Sequence, residues 1–478
     1  MPRDGTDGRK PNLFFSTDVD AAIKAADLIF ISVNTPTKTV GHGAGKASDL
    51  AYVESAARRI AEVATSDTII VEKSTVPCGT AEHLREIFAS LAQPGLRFDV
   101  LSNPEFLAEG TAMSDLAAPE RILIGSLKST RALEAGQALA DVYAAWVPRV
   151  RIKTMNLWSS ELSKLAANCM LAQRISSINS LSALCESTGA DINELATAVG
   201  LDSRIGPKML KASAGFGGSC FKKDVLSLVY IAESHNLPEV ASYWRGVVDI
   251  NEYQKDRFMK RITKALYNTL SQKKIAVLGF AYKKDTGDTR ESAAISVVGQ
   301  MIAENARVAI YDPKVDRETI IRDLERDHTP QAVARCVTVC SEPYEACERA
   351  AAIVVLTEWD FFRTDELPDV KALSRQPSDL SSGDSTPSST SASGSDEEPE
   401  AANDALSTPL STSDSAVALP IASTPRPKQT GARIDWARVA NTMRRPRLLF
   451  DGRNIVEPPK LVALGFQVHC IGRKTNRR

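Results

Sequence analysis

Hydrophobic positions along the first 150 residues follow two alternating periods. Short β-rich runs, "ADLIFISV" (Ala26 to Val33), "DTIIVEKST" (Asp67 to Thr75), "FDVLSN" (Phe98 to Asn103) and "RILIG" (Arg121 to Gly125), predict strands. Between them, "LAYVESAARRIAEVA" and "GTAEHLREIFASLA" place apolar residues three and four apart, which predicts helices with one buried face. Strands alternating with helices imply a parallel, doubly wound α/β sheet. From Trp158 to Leu270 the strand signal vanishes, and two long helical patterns predict a helical middle domain. Alternation returns with "KKIAVLGF", "ARVAIYDP", "AAIVVLTEW", "RPRLLFDGR" and "FQVHCIGR", which predict a second doubly wound sheet. The expected organisation is therefore residues 1–150, 151–270 and 271–478.

One stretch breaks the second alternation. Residues from about 374 to 430 are rich in Ser, Thr, Pro and acids and carry too few large apolar groups to offset the entropy of ordering. The expectation is a disordered insertion in the third domain. Thr386, Thr408 and Thr424 each precede proline, so one reading is regulatory phosphorylation. The other is a tolerated loop expansion or an unspliced intron.

Composition narrows the function classes. At 478 residues the chain exceeds the roughly 250–300 that one core usually serves, so two or three domains are expected. A net charge of −1 offers no field for nucleic acid or an anionic membrane, so any phosphate site must be local. The first residues carry no signal-peptide core, and no apolar run approaches the roughly 20 residues of a membrane span. A cytoplasmic protein is expected. The eight cysteines form no C-x-x-C pair and no cluster of metal-ligating spacing, so neither a disulfide framework nor a metal centre is expected.

The candidate chemistry sits in a few loops. In "GFGGSCFKKDV" the glycines allow close backbone approach, and Cys220 falls where a helix could begin, with Asp224 one turn further on. A helix N-terminus favours thiolate, the state of a nucleophile; the alternative is a glycine turn beside an incidental buried cysteine. In "SSELSKLAANCM", Lys164 and Asn168 share a helix face and could converge on an oxyanion; alternatively Lys164 is a surface residue paired with Glu161. Glu105 and Glu109 of "SNPEFLAEGTA" follow a strand, as do Thr35 of "SVNTPT" and Thr75 of "EKSTVP", so these loops face one crevice. Such acids can also be merely solvated. Lys283, Lys284 and Arg290 of "LGFAYKKDTGDTRES" lie between a strand and a helix, where a diphosphate could bind.

Taken together, the motifs "ISVNTPTK", "EKSTVP", "LSNPEFLAEGTA", "SSELSKLAAN", "AQRISSINSLSALCE", "GFGGSCFKKD", "LGFAYKKDTGDTRES" and "FDGRN" resemble the UDP-glucose/GDP-mannose dehydrogenase family in kind and order. They span about Asn12 to Arg473 apart from the insertion, and Phe221 after the cysteine looks more like the UDP-glucose branch. The resemblance implies NAD-dependent, four-electron oxidation of a nucleotide-sugar C6 alcohol to a carboxylate. It implies Cys220 as nucleophile, Lys164 and Asn168 as oxyanion donors, Asp224 serving water, and Glu105 in proton transfer with Thr75 nearby. For UDP-glucose it implies Glu105, Phe106, Leu107, Lys164, Asn168, Arg204, Lys211, Phe216, Gly217, Tyr282 and Lys283, with Arg453 acting in the family's oligomer. For NAD it implies Val33, Asn34, Thr35, Pro36, Thr37, Ser74, Thr75, Glu109 and Arg290. Self-association into dimers on the long middle helix, or hexamers, is implied as well.

One departure stands out. The family opens with a strand, a G-x-G-x-x-G turn, a helix and a second strand ending in an acid, whereas this chain opens at "GTDGRKPNLFFSTDVD". Gly41, Gly43 and Gly45 do not precede a helix in the required way, so the first sheet is expected to lack two strands and its diphosphate cradle. Two explanations stand: an incomplete gene model with Met1 internal, or a truncated, inactive subunit that binds UDP-sugars or regulates full-length partners.

Overall fold

The computed structural model describes residues 12–364 and 433–474. The expected insertion at 374–430, with Thr386, Thr408 and Thr424, lies outside the described residues. The first sheet has five strands, β1 (Leu28–Ile31), β2 (Thr68–Glu72), β3 (Phe98–Ser102), β4 (Ile122–Ser126) and β5 (Ile152–Asn156), side by side in chain order. Helix α1 (Val19–Ala25) precedes β1, and α2 (Ala51–Val63), α3 (Thr80–Leu91), α4 (Ala112–Ala117) and α5 (Thr130–Ala144) connect the successive strands. Strands β1 to β3 are parallel, as alternation predicts. Strand β4 instead meets β3 through one antiparallel pair, Ser102 opposite Gly125. The segment between them holds only the six-residue α4, which turns the chain back rather than carrying it across the sheet. Strand β5 escaped prediction because Lys153 and Thr154 face outward on an edge and break the apolar run.

The middle region is helical, as expected: α6 (Leu157–Thr188), α7 (Ile192–Gly200), α8 (Phe221–Ser234) and α9 (Pro238–Ala265). Asn156 caps α6 by accepting from the Ser159 N–H, and Gly189 ends it at φ 90°, a left-handed position that suits glycine. Along α6 the buried set includes Glu161, Lys164, Asn168, Ser176 and Asn179 beside apolar residues. Buried polar groups need partners, so this helix is bound to whatever supplies them.

The third region is a six-stranded parallel sheet, ordered β11 (Phe466–Cys470), β10 (Arg447–Asp451), β9 (Ala352–Val355), β6 (Lys274–Leu278), β7 (Arg307–Tyr311) and β8 (Val337–Val339). Strands β6, β7, β9 and β10 are almost wholly buried, consistent with cover on both faces. Strand order reverses between β6 and β9, and the loops after their C-terminal ends flank that switch point, where ligands bind in open α/β sheets. Helix α10 (Ala293–Ala303) follows the β6 loop, its N-terminus capped by Ser292. The two loops touch: Gly279 sits at φ 95°, and a Cβ there would lie 2.4 Å from Thr357 Cβ. Gly279→Ala should therefore destabilise the third domain by about 1–3 kcal/mol through backbone strain and displacement of Thr357. A chemical-denaturation midpoint unchanged from wild type would contradict this.

Candidate functional site

Loop 212–218 is held by amides from two helices. Asn251 of α9 accepts from the Phe216 N–H at 2.8 Å and donates to the Phe216 carbonyl at 3.2 Å. Gln254 donates to the Ser213 carbonyl at 2.8 Å, and Asn179 of α6 accepts from the Ser213 N–H at 2.9 Å. These three buried amides went unrecognised in the sequence; the available signal was polar residues at apolar-face positions of predicted helices. The glycines are needed because the third sheet's loop crosses here. A Cβ at Gly217 would stand 2.4 Å from the Glu291 carbonyl oxygen, and one at Gly218 would stand 2.8 Å from the Tyr282 ring. The Gly218 N–H donates to the Arg290 carbonyl at 2.8 Å.

Cys220 follows directly and forms the N-cap of α8, as the motif predicts. Of the eight cysteines, it alone is exposed. One turn on, Asp224 is buried and its N–H donates to the Cys220 carbonyl at 2.8 Å. Asn168 of α6 donates to Asp224 Oδ2 at 2.6 Å. Burial pushes the Asp224 carboxyl above its ordinary range, while Lys223, the Asn168 hydrogen bond and Lys164 pull it back.

Lys164 is buried and does not pair with Glu161. Its Nζ reaches Glu105 Oε1 at 3.3 Å and stands 5.3 Å from the Phe106 ring centroid. Glu161 points the other way, to the start of α3. The Leu107 N–H donates to Glu105 Oε2 at 2.6 Å, so the carboxyl folds back on its own loop. Behind this pair, Lys73 donates to Asn103 Oδ1 and Tyr143 Oη, each at 3.2 Å. Desolvation holds its amine below the ordinary lysine value, and Lys164 adds to that. Lys73 was missed; its only signal was a cation ending a strand before "ST".

The remaining expected residues fall into three groups. Thr35, Thr75, Val33 and Ser74 meet on adjacent strand ends: Thr35 Oγ1 donates to the Thr75 carbonyl and Ser74 Oγ to that of Val33, each at 2.7 Å. Asn34 and Pro36 are exposed beside them, Thr37 bridges to Ser48, and Lys223 reaches the Thr35 carbonyl at 3.2 Å. Glu109 crosses to the third domain: Thr286 donates to its carboxylate, Lys283 to its carbonyl at 2.7 Å, and Arg290 stands 4.0 Å away. Arg290 and Tyr282 also lie within electrostatic reach of Cys220.

Arginines are placed differently from expectation. Arg453 reaches the crevice from its own chain, donating to the carbonyls of Tyr282 at 3.0 Å and Gly215 at 3.3 Å. Asp451 aims it, since a wholly buried carboxylate there accepts three backbone N–H groups, from Arg453, Ile455 and Val456. Arg204 is not brought to the crevice by its own chain. It is paired with Asp202 on the surface of the middle region, with its side chain 87% exposed. Lys211 is exposed at the crevice mouth, its amine lowered by desolvation and by nearby Arg363.

Models of three consecutive domains match this chain: the NAD binding domain at residues 6–147, the central domain at 158–253 and the UDP binding domain at 276–379. The chain belongs to the UDP-glucose/GDP-mannose dehydrogenase family. A UDP-glucose 6-dehydrogenase of Drosophila melanogaster is 48% identical over 472 residues, covering 98% of this chain and 85% of that protein. UDP-glucose 6-dehydrogenase 1 of rice, Oryza sativa, is 48% identical over 477 residues, 97% of this chain and 85% of its own length. Among solved structures, a UDP-glucose dehydrogenase from Pyrobaculum islandicum matches with a TM-score of 0.63 and 34% identity, over 72% of this chain and 75% of that one. A UDP-D-ManNAc dehydrogenase from Pyrococcus horikoshii, at 23% identity and TM-score 0.66 over 96% of this chain and 84% of that one, shares the fold.

The Val33 to Thr37 and Ser74 to Thr75 loops lie side by side at the strand ends, and Glu109 and Arg290 approach each other at the third domain's loop.

The exposure of Cys220 is directly testable. Iodoacetamide should alkylate it at least about tenfold faster than Cys169, Cys185 or Cys347, which are buried. Peptide mapping that finds equal labelling across these positions would remove Cys220 as the accessible nucleophile.

Proposed function

We propose that this chain is a UDP-glucose 6-dehydrogenase, oxidising UDP-glucose to UDP-glucuronate with NAD as cofactor. The observation that carries this reading is an exposed Cys220 at the N-cap of α8 with two buried pairs on neighbouring turns of α6 and α8: Asn168 holds Asp224 at 2.6 Å, and Lys164, one turn before Asn168, holds Glu105 at 3.3 Å. The curated relatives at 48% identity support the substrate. The alternative of an inactive sugar-binding or regulatory subunit has no observation in its favour. The three family matches support the division into NAD-binding, central and UDP-binding domains near residues 150 and 270.

In this reading, bound NAD supplies the hydride acceptor twice, for four electrons in all. The chain's own residues do the rest. Cys220 Sγ adds to the C6 aldehyde carbon, and Lys164 Nζ with Asn168 Nδ2 donate to the resulting oxyanion. Once oxidised, that carbon is held as a thioester on Cys220. Asp224 orients water onto it, Glu105 takes the water proton, and cleavage of the carbon–sulfur bond returns the thiol. Thr75 stands by at the strand end. The uridine diphosphate is gripped by the Phe216–Gly217 backbone, Tyr282, Lys283, Lys211 and Arg453, and the sugar by Glu105, Phe106 and Leu107. Val33 to Thr37, Ser74, Thr75, Glu109 and Arg290 hold NAD.

Self-association completes the proposal. Leu162, Met170, Leu181 and Leu184 lie exposed along one side of α6, and Arg174 ties the Arg204 loop to that helix through carbonyls of Ile205, Gly206 and Lys208. A second copy packed on α6 would cover this apolar stripe and present Arg204 to a neighbour's crevice. Free cysteines throughout and no helix among the described residues able to cross a membrane support a cytoplasmic setting.

Purified protein given UDP-glucose and NAD should reduce NAD and release UDP-glucuronate, and Lys164→Ala should lower kcat by about 100-fold or more. Cys220→Ser should stop carboxylate formation; undiminished UDP-glucuronate from that variant would refute the nucleophile. Asn168→Ala removes a hydrogen bond that favours the Asp224 carboxylate, so the acid limb of kcat should move to higher pH. An unmoved limb would mean that Asp224 does not act as a carboxylate.

A further inference from the structure

Among the described residues, one buried acid whose two carboxyl oxygens both lack a hydrogen-bond donor lies outside the cluster just described. Glu72 ends β2, its residue is 1% exposed, and neither carboxyl oxygen has a hydrogen-bond donor. It faces Glu161 of α6, also buried, whose two oxygens are taken by the N–H groups of Gly79 at 2.7 Å and Ala81 at 2.8 Å. The other titratable neighbour is Cys78, whose thiol is directed at the Trp158 carbonyl at 3.6 Å and is pushed up to about 11, so it stays neutral. Glu82 stands beyond Cys78 and adds only negative charge. From β3 and α6 the nearby groups are the Ser102 and Ser160 hydroxyls, bonded to each other at 3.0 Å. Lys73, next in the chain, turns away to Asn103 and Tyr143. Among the described residues no cation compensates the pair.

Two buried carboxylates in contact cannot both be ionised. Glu161 has two backbone donors at the start of α3 and is the better anion. We propose that Glu72 retains a proton and donates it to Glu161, and that this shared-proton pair is a positioning device for catalysis. Its place in the chain gives it that role. Glu72 immediately precedes Lys73, Ser74 and Thr75, and Glu161 lies one helical turn before Lys164, so the proton fastens the cofactor-side loop to the catalytic helix. Loss of the proton would put two charges in a dry contact and part β2 from α6. The catalytic role rests on the dehydrogenase reading; the proton itself does not.

A carboxyl that binds its proton more tightly when folded stabilises the fold below its unfolded pKa, and that contribution fades as pH rises toward the folded value. The wild-type melting temperature should therefore fall as pH rises from the carboxylate range into the alkaline range. Glu72→Gln keeps a donor to Glu161 without a proton to lose, so its melting curve should be flatter and cross above wild type at high pH. Infrared spectra at neutral pH should show the carbonyl stretch of a protonated carboxyl in wild type and in Glu161→Gln, and lose it in Glu72→Gln. Turnover by Glu72→Gln at neutral pH should stay within about threefold of wild type, with its alkaline decline displaced upward. Parallel melting curves with no protonated-carboxyl band in wild type would overturn the proposal. If Glu72→Gln does not fold, a band missing from both wild type and Glu161→Gln overturns it equally. Melting and infrared data need no turnover, so the pair stands or falls apart from the substrate assignment.

Discussion

Everything in this molecule leans on the cost of burying polar groups along α6. A helix this long would be a poor core element if its stripe of Glu161, Lys164, Asn168, Ser176 and Asn179 met only apolar neighbours, because each unpaired group costs kilocalories. Instead each of these residues makes at least one hydrogen bond to a different element, although the Asn179 amide nitrogen stays unpaired. Glu161 takes the first N–H groups of α3, Lys164 takes Glu105 from the loop after β3, Asn168 takes Asp224 on α8, and Asn179 takes the backbone of the glycine loop. The packing requirement and the catalytic requirement are met by the same contacts.

That arrangement explains why the crevice is assembled from three regions rather than carved into one. The glycine loop passes so close to the third sheet's loop that side chains at Gly217 and Gly218 have no room, and the backbone of one becomes a wall for the other. Arg453, aimed by the buried Asp451, closes that wall by reaching carbonyls on both loops. Glu109 performs the same service from the first sheet, accepting from Thr286 and offering its carbonyl to Lys283. A sugar diphosphate in such a crevice is held by fixed backbone and a few cations, which limits the reorganisation needed at the moment of reaction.

Much of this could be read along the chain. The period-two and period-3.6 patterns located the two sheets and the helical middle, since burial on one face leaves a local imprint in each element. The order of short motifs carried the family and the cysteine, because glycine turns and helix starts are decided by neighbours in sequence. Strand β5 and the reversal at β4 left no such imprint: an edge strand need not be apolar, and strand direction depends on how a connecting loop packs.

The sequence by itself determined which elements form, which of their faces are apolar, and which residue types stand ready beside Cys220. Only the tertiary structure decided who pairs with whom. Helical spacing offered Glu161 to Lys164, yet packing gave Lys164 to Glu105 and left Glu161 facing Glu72. The resemblance implied UDP-glucose contacts for Arg204 and, through the oligomer, for Arg453, and only the fold turns the first outward and the second into its own crevice. The physical reason is that such pairings join residues tens to hundreds of positions apart. Their geometry is set when helices and sheets stack, and no local period records it.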